Sequence, residues 1–552
     1  MSQFRTTLLV LSLLTGCAAN DFGADDAVGS SKYQPDGAFG AYLSGRFAAQ
    51  RMDENAAADR LEEAAAQDKQ VPAVANQAFV AAALAGRASA SRLAAALPDN
   101  PAAQLVIANQ DVLAGRWAQA EARFGALAPS SLTQILKPLL VAWAQQGAGR
   151  TQAALLTLEP SVENSALRGL MALHGAMIAD MGGQQQTAAR LFALARSTYG
   201  ATNLRFGQVL ANWQYRQGQA TEARDSMREV AGLSGDLAIS RPALEASIAQ
   251  PALTSAADGI AEAYLAMAAA LQQQGSAEPA LLLLRLALDL RPGFTAARLV
   301  LSETQERAGQ LQQAQRTLEV VPASDPVSAT VRIRLAALLG KSKQPEQAAQ
   351  ILEQLAVAYP DRPEPLAMLG DLYRVDQRYP DAVAALDRAI ARVGTPNRAS
   401  WPLYYQRAVV LDRAGQWPRA ESDLKFALEL APEQPSVLNY LGYAWADQGR
   451  NLPEARAMIE RAVAQRPQDG SIVDSLGWVM LLQGDVKPAL TQLEHAVELE
   501  PEDPVVNGHL GDALAASGRL REAEFQWRRA LNLNPDPPDK ERIELRLRAV
   551  AP

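Results

Sequence analysis

Three histidines, His174, His495 and His509, and one cysteine, Cys17, are the side chains of this 552-residue chain best suited to hold a metal or attack a substrate. A metal site needs several such ligands at short, regular spacings, and none of the histidines stands at one. His174 and His495 lie inside helix-patterned stretches and His509 sits beside Leu510, so all three read as packing or polar residues. Gly340-Lys341-Ser342 ends like a phosphate-binding loop, but the first glycine of that motif would stand at 335, where the chain has Leu335. Ser471 follows Gly470 yet lacks the later glycine of a nucleophile elbow, and Asp474 reads as an acid near the positive end of a helix. No catalytic residue, metal or bound cofactor is expected, and the chain is not expected to be an enzyme.

The cysteine points to a different chemistry. Arg5 precedes an apolar run from Leu8 to Leu14, too short to span a bilayer and suited to the core of an export signal. Leu14-Thr15-Gly16-Cys17 then resembles the bacterial lipobox, which implies cleavage before Cys17 and a covalent lipid on its sulfur. No disulfide can form from a lone thiol, and acyl chains at about 0.8 kcal/mol per buried CH₂ would hold the mature protein on a membrane. Ala18 and not Asp follows the cysteine, a choice that in such lipoproteins implies sorting to the outer membrane, facing the periplasm. Residues 1–16 are thus expected as a signal peptide and 17–34 as a flexible acidic tether with Asp21, Asp25 and Asp26.

Elements that could position a site come from the remaining chain. Few aromatics (6 %) amid long Ala, Leu, Gln, Arg and Glu stretches indicate a helix-rich protein. The net charge of −8 is spread along the chain without a basic block, which argues against nucleic acid as a partner.

In the last third, Leu476-Gly477, Gly484, Ala489, Leu493, Ala496 and Pro501 recur as Leu510-Gly511, Gly518, Ala523, Trp527, Ala530 and Pro535, a shift of 34 residues. Leu441-Gly442, Gly449, Ala455 and Pro467 fit with one extra residue at Arg450-Asn451-Leu452, and Ala408, Gly370, Ala336, Ser302 and Ala268 open earlier units. Small residues at these places let two antiparallel helices approach; the mid-unit glycine ends the first helix, and the proline stops the second. One such pair cannot bury its own apolar stripe, whereas stacked pairs can. This pattern resembles the tetratricopeptide repeat. The resemblance implies an all-α, TPR-type α-solenoid, a right-handed superhelix of about fourteen antiparallel helix pairs. Its parts are a degenerate N-terminal array over 35–232, an irregular insertion over 233–258, a regular array over 259–535 and a capping helix over 536–552.

In that family the first helix of each pair lines a groove, which here would place Asp371, Arg374, Tyr405, Asp412, Asn439, Tyr443, Asp447, Asp474, Trp478 and Asp512 on a peptide-binding face. Aromatic faces with carboxylates suit a basic or neutral peptide. The stretch from Leu438 to Leu533, with Val473-Asp474-Ser475-Leu476-Gly477-Trp478 and Phe525-Gln526-Trp527-Arg528-Arg529, is similar to large TPR lipoproteins of proteobacteria, including LbcA-type adaptors. That similarity implies a membrane-anchored scaffold that gathers a periplasmic carboxyl-terminal processing protease and peptidoglycan hydrolase substrates. An assembly or stability factor for an outer-membrane or secretion complex is the alternative.

Overall fold

A computed structural model describes residues 37–68, 71–164, 167–199 and 203–550; Cys17, the expected signal peptide and the expected tether lie outside them. Among the described residues there are 31 α-helices and no strand, and the chain divides into two compact units, 1–87 and 88–552. The fold is an all-α TPR-type solenoid.

The first unit holds α1 (Ala38–Gln50), α2 (Glu54–Gln67) and α3 (Pro72–Leu84). Gly45 lets α1 and α2 close, since a Cβ there would stand 2.7 Å from Leu61 Cγ. Asp53 caps α2 by accepting from the Ala56 N–H, and Arg87 ties the unit together by pairing with Asp59 at 2.7 Å.

The second unit opens with α4 (Ser89–Ala94) and continues in pairs: α5 (Pro101–Leu113) with α6 (Trp117–Ala126), and α7 (Ser131–Gly147) with α8 (Thr151–Asn164). Next come α9 (Arg168–Met181) with α10 (Gln185–Tyr199), and α11 (Leu204–Arg216) with α12 (Ala220–Ala231). The aperiodic segment carries two short helices, α13 (Gly235–Ala238) and α14 (Arg241–Ala246). Pairing resumes with α15 (Ala256–Gln273) and α16 (Ala277–Leu290), α17 (Thr295–Arg307) and α18 (Leu311–Glu319), and α19 (Ser328–Lys341) and α20 (Pro345–Ala358). Then follow α21 (Glu364–Val375) and α22 (Tyr379–Ala391), α23 (Trp401–Arg413) and α24 (Trp417–Leu430), and α25 (Pro435–Asp447) and α26 (Leu452–Gln465). The last pairs are α27 (Gly470–Leu482) with α28 (Val486–Leu499) and α29 (Pro504–Ala516) with α30 (Leu520–Asn532), after which comes α31 (Pro537–Val550).

The small residues of the repeat sit where the helices of a pair touch. A Cβ on Gly477 would meet Leu493 Cγ at 2.5 Å, and one on Gly511 would meet the Trp527 ring at 2.4 Å, so neither position admits a side chain. Gly484 ends α27 at φ +86°, a left-handed conformation that glycine takes at no steric cost. Three pairs do without glycine there and force Met52 (φ +56°), Lys343 (φ +57°) and Gln377 (φ +58°) into the same region. A left-handed L-residue costs about 1–2 kcal/mol, partly offset by glycine's larger chain entropy. Gln377→Gly should therefore stabilise the chain by about 1 kcal/mol, read as a higher urea midpoint with an unchanged m-value. The extra residue near 451 is absorbed the same way, with Asn451 at φ +48°.

The N-terminal pairs differ in what their first helices face. Helix α15 is buried on nearly every side from Ala256 to Ala268. One side packs on α16 and α17, and the other lies against α7 and α9, while α16 lies against α5. Gly259 sits under the Trp143 indole, with only 2.3 Å left for a Cβ. Trp143 Nε1 donates to His174 Nδ1 at 2.9 Å. Tyr264 donates to Asn109 Oδ1 at 3.0 Å, and Asn109 Nδ2 donates to the Leu286 carbonyl at 3.1 Å. From α11, Arg205 Nε donates to Glu262 at 2.9 Å. Helices α5, α7, α9 and α11 thus all meet the chain's own α15. The segment around α13 and α14 docks on α19, where Ser240 Oγ and Thr330 Oγ1 share a hydrogen bond of 2.8 Å.

Candidate protein-binding groove

From α21 onward the first helices face no internal helix of this kind. Neighbouring first helices lie side by side from α25 to α31, and α21 lies against α23. This face carries the residues expected to bind a partner, and the structure sorts them into two groups.

In the open group, Asp371 is exposed and paired with Arg374 at 2.7 Å. Tyr405 is half-buried, its ring 6.0 Å from Trp401 and edge-on to Tyr440 at 5.9 Å. Asp412 accepts from the Tyr440 hydroxyl at 2.8 Å. Asn439 is half-buried with no partner in the chain for its Oδ1, Tyr443 is half-buried, and Asp447 is exposed. Burial raises the pKa of Tyr405, Tyr440 and Tyr443, and nearby carboxylates add to this: Asp412 for Tyr440, Asp447 and Asp474 for Tyr443. All three therefore keep their protons at neutral pH; the Tyr440 hydroxyl gives its proton to Asp412, and those of Tyr405 and Tyr443 lie beside aromatic faces.

The second group is committed within the chain. Asp474 is buried and hydrogen-bonded to His509 Nδ1 at 2.8 Å. It lies beyond the first turn of α27, which is capped instead by Asp469 accepting from the Ile472 N–H. Trp478 stacks on His509 with ring centroids 4.1 Å apart and 13° between planes, and the Arg542 guanidinium lies 5.6 Å from the Trp478 ring. Buried Asp512 accepts from Trp527 Nε1 at 3.0 Å and pairs with Arg542 at 2.6 Å and Arg546 at 3.4 Å. Three residues that matter here were absent from the expected face: Tyr440, His509 and Arg542. Tyr440 and His509 fall next to expected groove positions on their helices, which is the one sequence signal for them. Arg542 belongs to α31, outside the repeat, and no periodicity could place it.

Elsewhere a cavity of about 220 Å³ is lined by Arg205, Arg291, Phe294 and Asp325 among others. Its charges already answer one another: both arginines reach Glu262, both donate to the Ala252 carbonyl, and both lie over the Phe294 ring. Among the described residues no cluster of three His, Cys, Asp or Glu could hold a metal ion.

Family models described as tetratricopeptide repeat match residues 271–341 by one model and 333–400 and 405–470 by another. Over 87 residues the chain is 34 % identical to the TPR repeat-containing protein PA4667 of Pseudomonas aeruginosa, covering 16 % of this chain and 15 % of that protein. It is 27 % identical over 200 residues to the putative cellulose synthase operon protein C of Escherichia coli O157:H7, covering 35 % of this chain and 17 % of that one. The chain thus spans under a fifth of the length of these relatives. Among solved structures it is similar to Cut9 with Hcn1 (14 % identity, TM-score 0.38, 93 % and 96 % of the two chains). A likeness to yeast Tom70 has 12 % identity, a TM-score of 0.36 and coverage of 93 % and 95 %.

Proposed function

We propose that this chain, a solenoid of tetratricopeptide helix pairs, is a lipid-anchored scaffold that holds periplasmic proteins or their peptide segments on the first-helix face of α21 to α25. The observation that carries the reading is a contrast between its arrays. First helices α5, α7, α9 and α11 spend their inner face on α15, whereas α23 and α25 carry half-buried Tyr405, Asn439 and Tyr443 and exposed Asp447. Tyrosine supplies broad contact area at low entropic cost, and the exposed Asp447 carboxylate can accept from a peptide N–H. Lipid on Cys17 would keep this face at the periplasmic side of the outer membrane.

In its finer form the scaffold brings a carboxyl-terminal processing protease together with peptidoglycan hydrolases. Support for this is the similarity of the Leu438–Leu533 repeats to adaptors of that group. Holding protease and substrate on one scaffold raises their effective concentration and needs no chemistry from the scaffold itself.

A photo-crosslinking residue at Tyr405 or Asp447, with a control at Glu429 on α24, tests the face in intact cells. Crosslinks to a processing protease or a cell-wall hydrolase are expected from the first two positions and not from the third. Combining Tyr405→Ala with Asp447→Ala should weaken binding of the captured protein about tenfold or more while lowering the melting temperature only in part, through the packing that Tyr405 loses. Crosslinks confined to the control would overturn the groove, and capture of porin or secretin assembly proteins would replace the protease partner with an assembly role.

A further inference from the structure

Helix α1 wears its apolar side outward. Its inner face is made of small residues, Ala41 and Gly45 packed on α2. Its outer face carries Phe39, Leu43 and Phe47 at a helical i, i+4, i+8 spacing, 74 %, 50 % and 59 % exposed. A helix held only by the core of its unit would show the opposite pattern. The same helix has no Asp or Glu in a chain with 60 of them, yet it has Arg46 on the stripe's flank and is followed by Arg51, whose guanidinium lies 5.2 Å from the Phe47 ring. Aromatic and aliphatic side chains beside arginines, without carboxylates, are the composition of a helix lying in a membrane interface.

Position along the chain favours the same occupant. Ala38 is 21 residues after Cys17, a span of at most about 75 Å even fully extended. A lipid on Cys17 therefore keeps α1 within reach of the bilayer, nearer along the chain than any other described helix. A second copy is a poorer fit, because a stripe of about 20 by 10 Å falls well short of the roughly 800 Å² per partner of a stable dimer.

We propose that Phe39, Leu43 and Phe47 of α1 dock on the membrane surface, with Arg46 and Arg51 meeting lipid phosphates, as a second attachment beside the acyl chains. This rests on the lipidated reading of Cys17, and the test separates the two. The exported full-length chain carrying Leu43→Cys is labelled with an environment-sensitive fluorophore and reconstituted in phosphatidylethanolamine–phosphatidylglycerol vesicles with brominated acyl chains. Glu63→Cys on α2 serves as the control, and the same labels are placed on the Cys17→Ser chain with excess vesicles. The label at 43 should shift to the blue and be quenched at least twofold in both forms, while the label at 63 is not. Phe39→Ser with Phe47→Ser should raise the lipid concentration that the Cys17→Ser chain needs by about tenfold or more. An unquenched label at 43 in both forms overturns docking, whatever the mass of the mature protein says about acylation at Cys17. A blue shift that grows with protein concentration without vesicles also overturns it, in favour of self-association.

Discussion

Gly259→Leu should cost about 3 kcal/mol or more of stability and loosen α5 to α9 from α15, seen as a lower urea midpoint and faster amide exchange in residues 101–181. The reason is steric. Even a Cβ at 259 would come within 2.3 Å of the Trp143 indole, and the neighbours of that indole leave it no room, because it is fully buried and hydrogen-bonded to His174. Overpacking a well-filled core usually costs 1–3 kcal/mol, and here the added side chain also pushes on the helix that four first helices share. Trp143→Ala alone should cost about 3–5 kcal/mol through the cavity it leaves. Together the two changes should cost at least 1 kcal/mol less than their sum, because leucine can occupy the space of the lost indole. Strict additivity would mean that the two residues do not touch.

Lowering the pH from 7.5 to 5 should destabilise the same region by about 2 kcal/mol through one residue, His174. Complete burial lowers its pKa from 6.5 to about 3, and its Nδ1 accepts from Trp143, a role that only the neutral ring can fill. The unfolded chain takes up a proton near pH 6.5 and the folded chain does not, so the contribution is fully present above pH 6.5. It is lost as pH falls toward 3, at 1.36 kcal/mol per unit. At pH 5, 1.5 units below the unfolded value, the loss is about 2 kcal/mol for any folded pKa well under 5. His174→Gln, which keeps an acceptor for the indole, should flatten the stability profile between pH 7.5 and 5. An equally steep profile in that variant would assign the slope to other groups.

The repeat was legible from Ala268 to Pro535 because each unit states its geometry in residues that tolerate no substitute, such as Gly477 under Leu493 and Gly511 under Trp527. The double burial of α15 was not legible in the same way. A first helix that faces solvent on one side and a first helix enclosed on both keep the same Gly and Ala positions. Only the shortage of charge after Glu262, with none up to Gln273, hints at the difference. At the groove, helical period gave the face on which Asp474, Trp478 and Asp512 lie. It could not give what a non-repeating helix lays across that face, and Arg542 of α31 is what closes that end.

The hydrogen bond between Asn109 and the Leu286 carbonyl joins residues 177 apart in sequence. At roughly 5–20 residues per second, some 10 to 35 s separate the synthesis of its two partners. Until α15 and α16 arrive, the apolar sides of α5 and α7 have nothing to close on, and the entropy of that long loop must be overcome before the contacts reward it. The N-terminal half is therefore made first and finished late, so its newborn form is a natural target for holding chaperones, while the C-terminal pairs can each settle on the neighbour just before them.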